Sequence, residues 1–323
     1  METIALARNA MATRFEVVVH GKNPVSLRAA GEEALEEIGR VEAQLSLYRP
    51  TSEIAHVNAR AAYEAVRVSP GVFRLLERAQ QLHRESGGYF DITIAPLVRC
   101  WGFMGGTGSR PDAAALAEAR EHVGMHLVEL NPTERTVHFL RPKVMLDPGA
   151  IGKGYAVGRA AEILREAGVE NALIHGGTST VYAFGKPEEE PAWKVAIEGP
   201  PGADDRDEDA PLAVIPLRDE ALSVSAVWGK SFEDQGRRFG HVLDPRTGLP
   251  VAGTVLAAVV VSSATESDAL STALLVLGPP GLDRIVAMRK DARALVVTES
   301  GDGFETRTGG IPPGRAGILP AQI

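Results

Sequence analysis

The sequence predicts a globular fold of mixed helices and strands, and three observations carry that expectation. Apolar residues recur at helical spacing over residues 26–45, 70–85 and 155–164. Apolar runs of strand length occur at residues 15–20, 212–217 and 254–262. A strand-like segment, Val144-Met145-Leu146, runs into a glycine-rich turn and then directly into a helix.

Composition permits such a fold and removes several classes of function. The chain has 323 residues, 44% hydrophobic and 24% charged, enough for one large domain or two small ones. A net charge of -8 gives nucleic-acid binding no electrostatic support. Cys100 is the single cysteine, which excludes an internal disulfide and a multi-cysteine metal site. No stretch reaches the roughly 18 apolar residues of a membrane span. The first fifteen residues show no continuous apolar core and no lipid-acceptor cysteine. As given, the chain reads as cytoplasmic, or as periplasmic if a leader has been removed.

Taken in order, Phe15–His20 is a strand and Gly21–Pro24 a turn. Residues 26–45 form a helix with Leu27, Ala30, Leu35, Ile38 and Val41 on one face. Leu45–Ile54 reads as a helix exit and a short capped turn. Pro70–Glu85 is a helix closed by Gly87-Gly88, and Asp112–His122 a shorter one. Two or three short strands then lead to Asp147. Beyond the central helix, Ala172–Ile174, Leu212–Leu217 and Ala221–Ala226 are strands, and residues 231–244 a hairpin across Asp234-Gln235-Gly236. Thr265 is the expected N-cap of a helix reaching Leu277, with Asp268 near its start and off its apolar face. Pro280–Arg289 is a further helix and Ala292–Thr298 the last buried strand. The acidic run Asp204–Asp209 reads as a solvated loop.

Leu146–Gly158 (LDPGAIGKGYAVG) has the most chemical content. A strand end, a glycine turn and a helix N-terminus bring backbone N–H groups to one point, which suits an anionic ligand. Lys153 adds a positive charge there. Asp147 is either a cap or a polar contact to that ligand. A P-loop is excluded, because Gly154 stands where Ser or Thr must follow the lysine. A dinucleotide fingerprint is excluded, because Val157 stands where Gly or Ala is required. A tight strand-to-helix turn with no ligand fits the same residues.

Two further constellations matter. Asp268 and Thr272 are four apart on a predicted helix, so their oxygens share one face, as hard ligands for Mg²⁺ would. A surface aspartate beside a threonine bonded to its own helix fits as well. His241 stands at a hairpin exit with Asp244, Arg246 and Thr247, where a histidine serves as base, ligand contact or surface residue. His175-Gly176-Gly177 is similar to an esterase oxyanion loop, but the chain has no G-x-S-x-G elbow, which removes a serine hydrolase.

Together the stretches resemble the ApbE family, the FAD:protein FMN transferases, over roughly Met11 to Gly278. The motifs are Met11–Phe15; Leu47-Tyr48 with Ser52-Glu53-Ile54 and Asn58; Phe90–Thr93 with Pro96-Leu97 and Trp101-Gly102-Phe103; Asp147–Tyr155; Gly176-Gly177; His241–Gly248; and Asp268–Ala273. The resemblance implies an α+β, T-fold-like architecture of mixed sheets with packed helices, its two lobes flanking an FAD cleft. Residues 1–308 then form a single two-lobed domain, and residues 309–323 a disordered Pro/Gly-rich tail. It implies Mg²⁺ held by the Ala150 carbonyl and the Asp268 and Thr272 side chains. It places Met11, Tyr48, Tyr89, Phe90, Asp91, Asp147, Lys153 and Val242 around FAD as substrate. It makes His241 the base, with Asp244 available to orient it. The implied reaction moves FMN from FAD to a Ser or Thr hydroxyl of an acceptor protein and releases AMP. A flavin-binding module that has lost transfer, and only holds or hydrolyses FAD, is the alternative.

The chain departs from the family pattern at three places. Val224-Ser225-Ala226 replaces Thr-Ser-Gly, Gly158 replaces an aspartate after the Lys-Gly helix start, and Thr178 replaces an aspartate after Gly-Gly. The first departure touches the acceptor side of the expected cleft.

Overall fold

The computed structural model describes residues 2–201, 211–301, 303–310 and 319–320. The chain divides into two compact units. Met1–Glu42, Gly152–Ser225 and Gly253–Ile323 make the first, and Ala43–Ile151 and Ala226–Ala252 the second. The first opens with β1 (Glu2–Ala10), β2 (Thr13–Gly21) and α1 (Pro24–Leu45). Within the second come α2 (Glu53–Arg60), β3 (Val66–Arg67), α3 (Pro70–Ser86), α4 (Ala95–Cys100), α5 (Ala113–Arg120), β4 (Val128–Asn131) and β5 (Thr136–Phe139). The first resumes with α6 (Gly152–Glu166), β6 (Asn171–Gly176), β7 (Thr180–Phe184), β8 (Trp193–Ile197), β9 (Ala213–Leu217) and β10 (Glu220–Ala226). The ribbon β11 (Ser231–Asp234) and β12 (Arg237–Gly240) is in the second. The first closes with β13 (Thr254–Val261), α7 (Ala264–Leu277), α8 (Leu282–Met288), β14 (Arg293–Ser300), β15 (Gly303–Gly309) and β16 (Leu319–Pro320).

The first unit is α+β, built on an eight-stranded sheet in the order β1-β2-β6-β7-β10-β13-β14-β15. Among its interior strands is β13, whose eight residues TVLAAVVV are all buried. An apolar run without alternation is what a strand covered on both faces requires. Helix α1 buries Leu27, Ala30, Ala34, Ile38 and Val41. It crosses β1 and β2 where Gly31 faces Leu6 and Val17. Strands β1 and β15 are the sheet's edges and largely exposed. Sequence reading misses both, because neither carries an apolar run. A smaller sheet joins β8, β9 and β16. Leu319 and Pro320 pair there with Val214 and Ala213, although the sequence predicts a disordered tail. The remaining tail residues beyond Gly310 lie outside the described residues, as does the acidic run 204–209.

In the second unit, α3 ends in a left-handed cap at Gly87, φ 72°, as the Gly-Gly signal predicts. Strands β3, β5 and β4 form a small sheet. Leu97, Trp101, Phe103, Phe239 and Leu243 make an aromatic core. The Trp101 indole Nε1–H donates to the Gly248 carbonyl at 2.7 Å.

Three sequence expectations change. Val144–Leu146 is not a strand. The Asn58 side chain takes the place of a partner strand, accepting from Leu146 N–H at 2.7 Å and donating to its carbonyl at 2.9 Å. Ser52 caps the two-turn helix α2 rather than an isolated turn, its Oγ accepting from Ala55 N–H. The cap of α7 is Ser263 and not Thr265, because α7 already begins at Ala264.

Candidate functional site

In the first unit the site is built where α6 and α7 meet. Asp268 Oδ2 accepts from the Gly154 N–H at 2.8 Å. The two helices touch because residue 154 has no side chain. A Cβ there would collide with the Ala264 carbonyl oxygen and lie 2.7 Å from Asp268 Cβ. Asp268 is therefore not an exposed residue off the apolar face. It is 4% exposed and faces the interior. Burial raises its pKa, opposed by the charge of Lys153, the N–H groups of Gly154 and Lys153, and the Thr180 hydroxyl.

Hydroxyls cluster beside Asp268. Ser225 Oγ lies 2.9 Å from Ser271 Oγ and 3.1 Å from Thr272 Oγ1. Ser271 and Thr272 both donate to the Asp268 carbonyl, at 2.9 and 3.4 Å. Ser223 donates to Thr180 at 3.2 Å. Sequence reading found Asp268 and Thr272 and gave no role to Ser271, which lies inside the same motif, nor to Thr180 and Ser223, which nothing in their local sequence marks. Met11 sits in the β1–β2 turn, where Met11 and Ala12 both have positive φ, 48° and 58°. Non-glycine residues are uncommon there, and such positions concentrate at functional sites. His175 lies in β6, and burial lowers its pKa, against the opposing charge of Glu16.

In the second unit, the segment after α3 carries Tyr89, Phe90 and Asp91. Phe90 and Asp91 are interior, 1% and 7% exposed. Asp91 Oδ1 accepts from the Thr93 N–H and hydroxyl at 2.7 and 2.6 Å, and its Oδ2 meets His83 Nδ1 at 3.1 Å. The His83 ring also reaches the Phe90 carbonyl at 3.1 Å. Burial opposes the imidazolium, but Asp91 and that carbonyl outweigh it and raise the His83 pKa. His83 escaped sequence reading; the Gly87-Gly88 reversal that folds the chain back onto it was the available signal.

Asp147 N–H donates to the Ile92 carbonyl at 2.6 Å, which fastens the glycine turn to this segment. The Asp147 carboxylate caps the following 3-10 turn at Gly149, 2.8 Å, and Ala150 ends that turn. Tyr48 is 70% exposed. Arg246 stacks on the Tyr89 ring, 3.5 Å from its centroid.

His241 follows β12, its N–H and Nδ1 both directed at the Lys230 carbonyl, at 3.1 and 3.0 Å. Asp244 does not orient it through any bond of that kind. Its carboxylate instead holds the Arg246 backbone N–H, Nε and Nη2 at 2.9, 3.2 and 3.1 Å. The bidentate guanidinium geometry explains the preference. Val242 is half-buried, its carbonyl accepting from Val251 N–H.

The expected residues thus divide. Met11, Lys153, Asp268 and Thr272 belong to the first unit; Tyr48, Tyr89, Phe90, Asp91, Asp147, Ala150, His241 and Val242 to the second.

Comparison with known proteins identifies the kind of chain this is. The family model described as "ApbE family" matches residues 11–296. The FAD:protein FMN transferase of Haemophilus influenzae is 30% identical, over 95% of this chain and 90% of that protein. The one from Klebsiella pneumoniae is 29% identical, over 92% and 84%. Among solved structures, the ApbE protein of Thermotoga maritima superposes with a TM-score of 0.83 at 28% identity, covering 94% and 96% of the two chains. The flavinyl transferase ApbE of Pseudomonas stutzeri, apo form, gives 0.82 at 30%, covering 95% of each.

Proposed function

We propose that this chain, which belongs to the ApbE family, transfers FMN from FAD to a Ser or Thr hydroxyl of an acceptor protein and releases AMP, with Mg²⁺ at the pyrophosphate. The observation that carries this reading furthest is the bond between His241 Nδ1 and the Lys230 carbonyl. A carbonyl only accepts, so this bond needs the hydrogen on Nδ1, and in the neutral ring the lone pair then falls on Nε2. That is the tautomer a general base uses. In the proposed step the acceptor hydroxyl yields its proton to His241 as its oxygen attacks the phosphorus of the FMN half. The bond from that phosphorus to the AMP oxygen breaks, and AMP leaves.

The residues present fit Mg²⁺. It takes hard oxygens in an octahedron and usually keeps waters and substrate phosphates beside one or two carboxylates. Asp268 supplies one buried carboxylate and Thr272 one hydroxyl oxygen. The described residues contain no group of three or more His, Cys, Asp or Glu able to hold a metal, so an all-protein cage does not compete. The Ala150 carbonyl is the further ligand that the family resemblance implies. When bound, Mg²⁺ withdraws charge from the pyrophosphate. The proposed FAD contacts are Met11, Lys153, Tyr48, Tyr89, Asp147 and Val242. Phe90 and Asp91 join them by fixing the loop that bears Tyr89, since both are interior.

The test is incubation with FAD, Mg²⁺ and a library of peptides of about 13 residues with one central Thr, read by intact mass and AMP release. Labelled peptide and AMP in equal amounts support transfer. AMP with free FMN and no labelled peptide would mean hydrolysis instead. Neither product would overturn both.

A further inference from the structure

The ribbon of β11 and β12 is a two-stranded sheet, and among the described residues β11 pairs with β12 alone. Such a hairpin is marginal by itself and presents an edge that an extended chain can extend. The register pairs Asp234 with Arg237 next to the turn, then Glu233 with Arg238, Phe232 with Phe239 and Ser231 with Gly240. In a two-residue hairpin the pair closing the turn is hydrogen-bonded, and the pattern alternates outward. The bond from His241 N–H to the Lys230 carbonyl keeps that alternation. The main-chain groups of Ser231 and Glu233 therefore point away from β12.

Glu233, with Phe232, Asp234 and Gln235, lines a groove of about 480 Å³ whose other lining residues are Gly108–Asp112. Phe232 is the aromatic residue of its lining. The Phe232 ring lies 5.6 Å from Phe103, whose ring lies 6.5 Å from the His241 ring. No more than about 12 Å therefore separates Phe232 from the imidazole, which an extended chain spans in three to four residues. Three carboxylates line the groove, Asp112, Glu233 and Asp234, against the single guanidinium of Arg110. Asp112 is occupied in capping α5, and Asp234 lies 3.7 Å from Arg110. Glu233 is exposed, and Arg238 across from it donates to the Ser231 hydroxyl.

We infer that the acceptor polypeptide docks along β11 as an added strand, its Ser or Thr hydroxyl at His241 and a basic side chain three to four residues away beside Glu233. The inference rests on the transferase reading and deepens it by naming how the acceptor is held. Recognition through main-chain bonds accepts varied sequences, provided the segment is extended at that point.

The experiment uses the full chain, FAD, Mg²⁺ and the peptide library with one central Thr. Labelled members should be enriched in Lys or Arg three to four residues from the Thr. N-methylation of single amides in that interval should raise the acceptor KM about tenfold at alternate positions, leaving kcat and FAD affinity unchanged. Glu233→Lys should remove the basic preference and raise the acceptor KM of basic peptides three- to tenfold. A benzophenone amino acid at position 233 should crosslink to the peptide three to four residues from its Thr. Transfer that is indifferent to N-methylation, with crosslinks absent from position 233, would overturn the inference and leave the transferase reading standing. Wild-type protein that labels no peptide would overturn the reading and the inference together.

Discussion

Two glycines in α6 should respond oppositely to the same substitution. Gly154→Ala places a methyl against the Ala264 carbonyl oxygen and 2.7 Å from Asp268 Cβ. The first of these is backbone at the start of α7 and cannot rotate away. Overpacking of this kind costs about 1–3 kcal/mol. Separating the helices also stretches the buried bond from Gly154 N–H to the Asp268 carboxylate, and bonds to charged groups contribute about 1.5–3 kcal/mol. Alanine in a helix returns only about 0.5–1 kcal/mol. The net expectation is a loss of about 2–4 kcal/mol, or a fall in Tm of roughly 3–10 °C. Gly158→Ala meets only Thr265 Oγ1 at 3.8 Å, an ordinary contact. It should therefore gain about 0.5–1 kcal/mol from reduced backbone freedom. Paired thermal and urea melts of the two variants decide the matter. If Gly154→Ala matched or exceeded wild-type stability, the close approach of α6 to α7 would not be what shapes the Asp268 site.

Three other outcomes are expected. His241→Gln should slow single-turnover FMN transfer by about 10²- to 10⁴-fold at saturating FAD, with FAD affinity nearly unchanged; equal rates would move the base elsewhere. Asp268→Asn preserves shape and should abolish the Mg²⁺ dependence of FAD binding in titration calorimetry, with a lowered melting point because an amide replaces an acceptor of the Gly154 N–H and its neighbours; an unchanged metal dependence would remove the proposed seat. The His83–Asp91 pair sets a pH dependence of stability. The folded His83 pKa is raised above its ordinary 6.5, so the folded state holds this proton more tightly. The contribution is complete below about pH 6.5 and fades as pH rises through the folded value. His83→Gln should consequently cost more stability in melts at pH 5.5 than at pH 8.5, and a cost that is larger at pH 8.5 would reverse the assignment.

The sequence made the long helices and the interior strands β2, β6, β10 and β13 legible because each carries a periodic apolar face or an apolar run, whereas interior β7 went unread. Helix α3, with Pro70 at its start and Gly87 at its end, is the plainest case. Edge strands β1 and β15 were illegible for the complementary reason, since one apolar face is not demanded of a strand at the rim. The Val144–Leu146 misreading has a different cause. Its partner is one amide side chain, Asn58, 88 residues away in sequence, and no local pattern encodes that bond.

The candidate site divides along the same line. Asp268 and Thr272 share a face by helical spacing, so their proximity could be read. The burial of Asp268 could not, because it depends on Gly154 admitting α7 to within contact of α6. Likewise the placing of His241 depends on hairpin register. The two-residue turn at Gln235-Gly236 sets the alternation that brings Lys230 opposite His241. One residue more in that turn would exchange the inward and outward main-chain groups of β11. The Lys230 carbonyl would then no longer hold Nδ1. An insertion at Gln235 should therefore impair transfer as severely as loss of the imidazole, although it touches no proposed substrate contact.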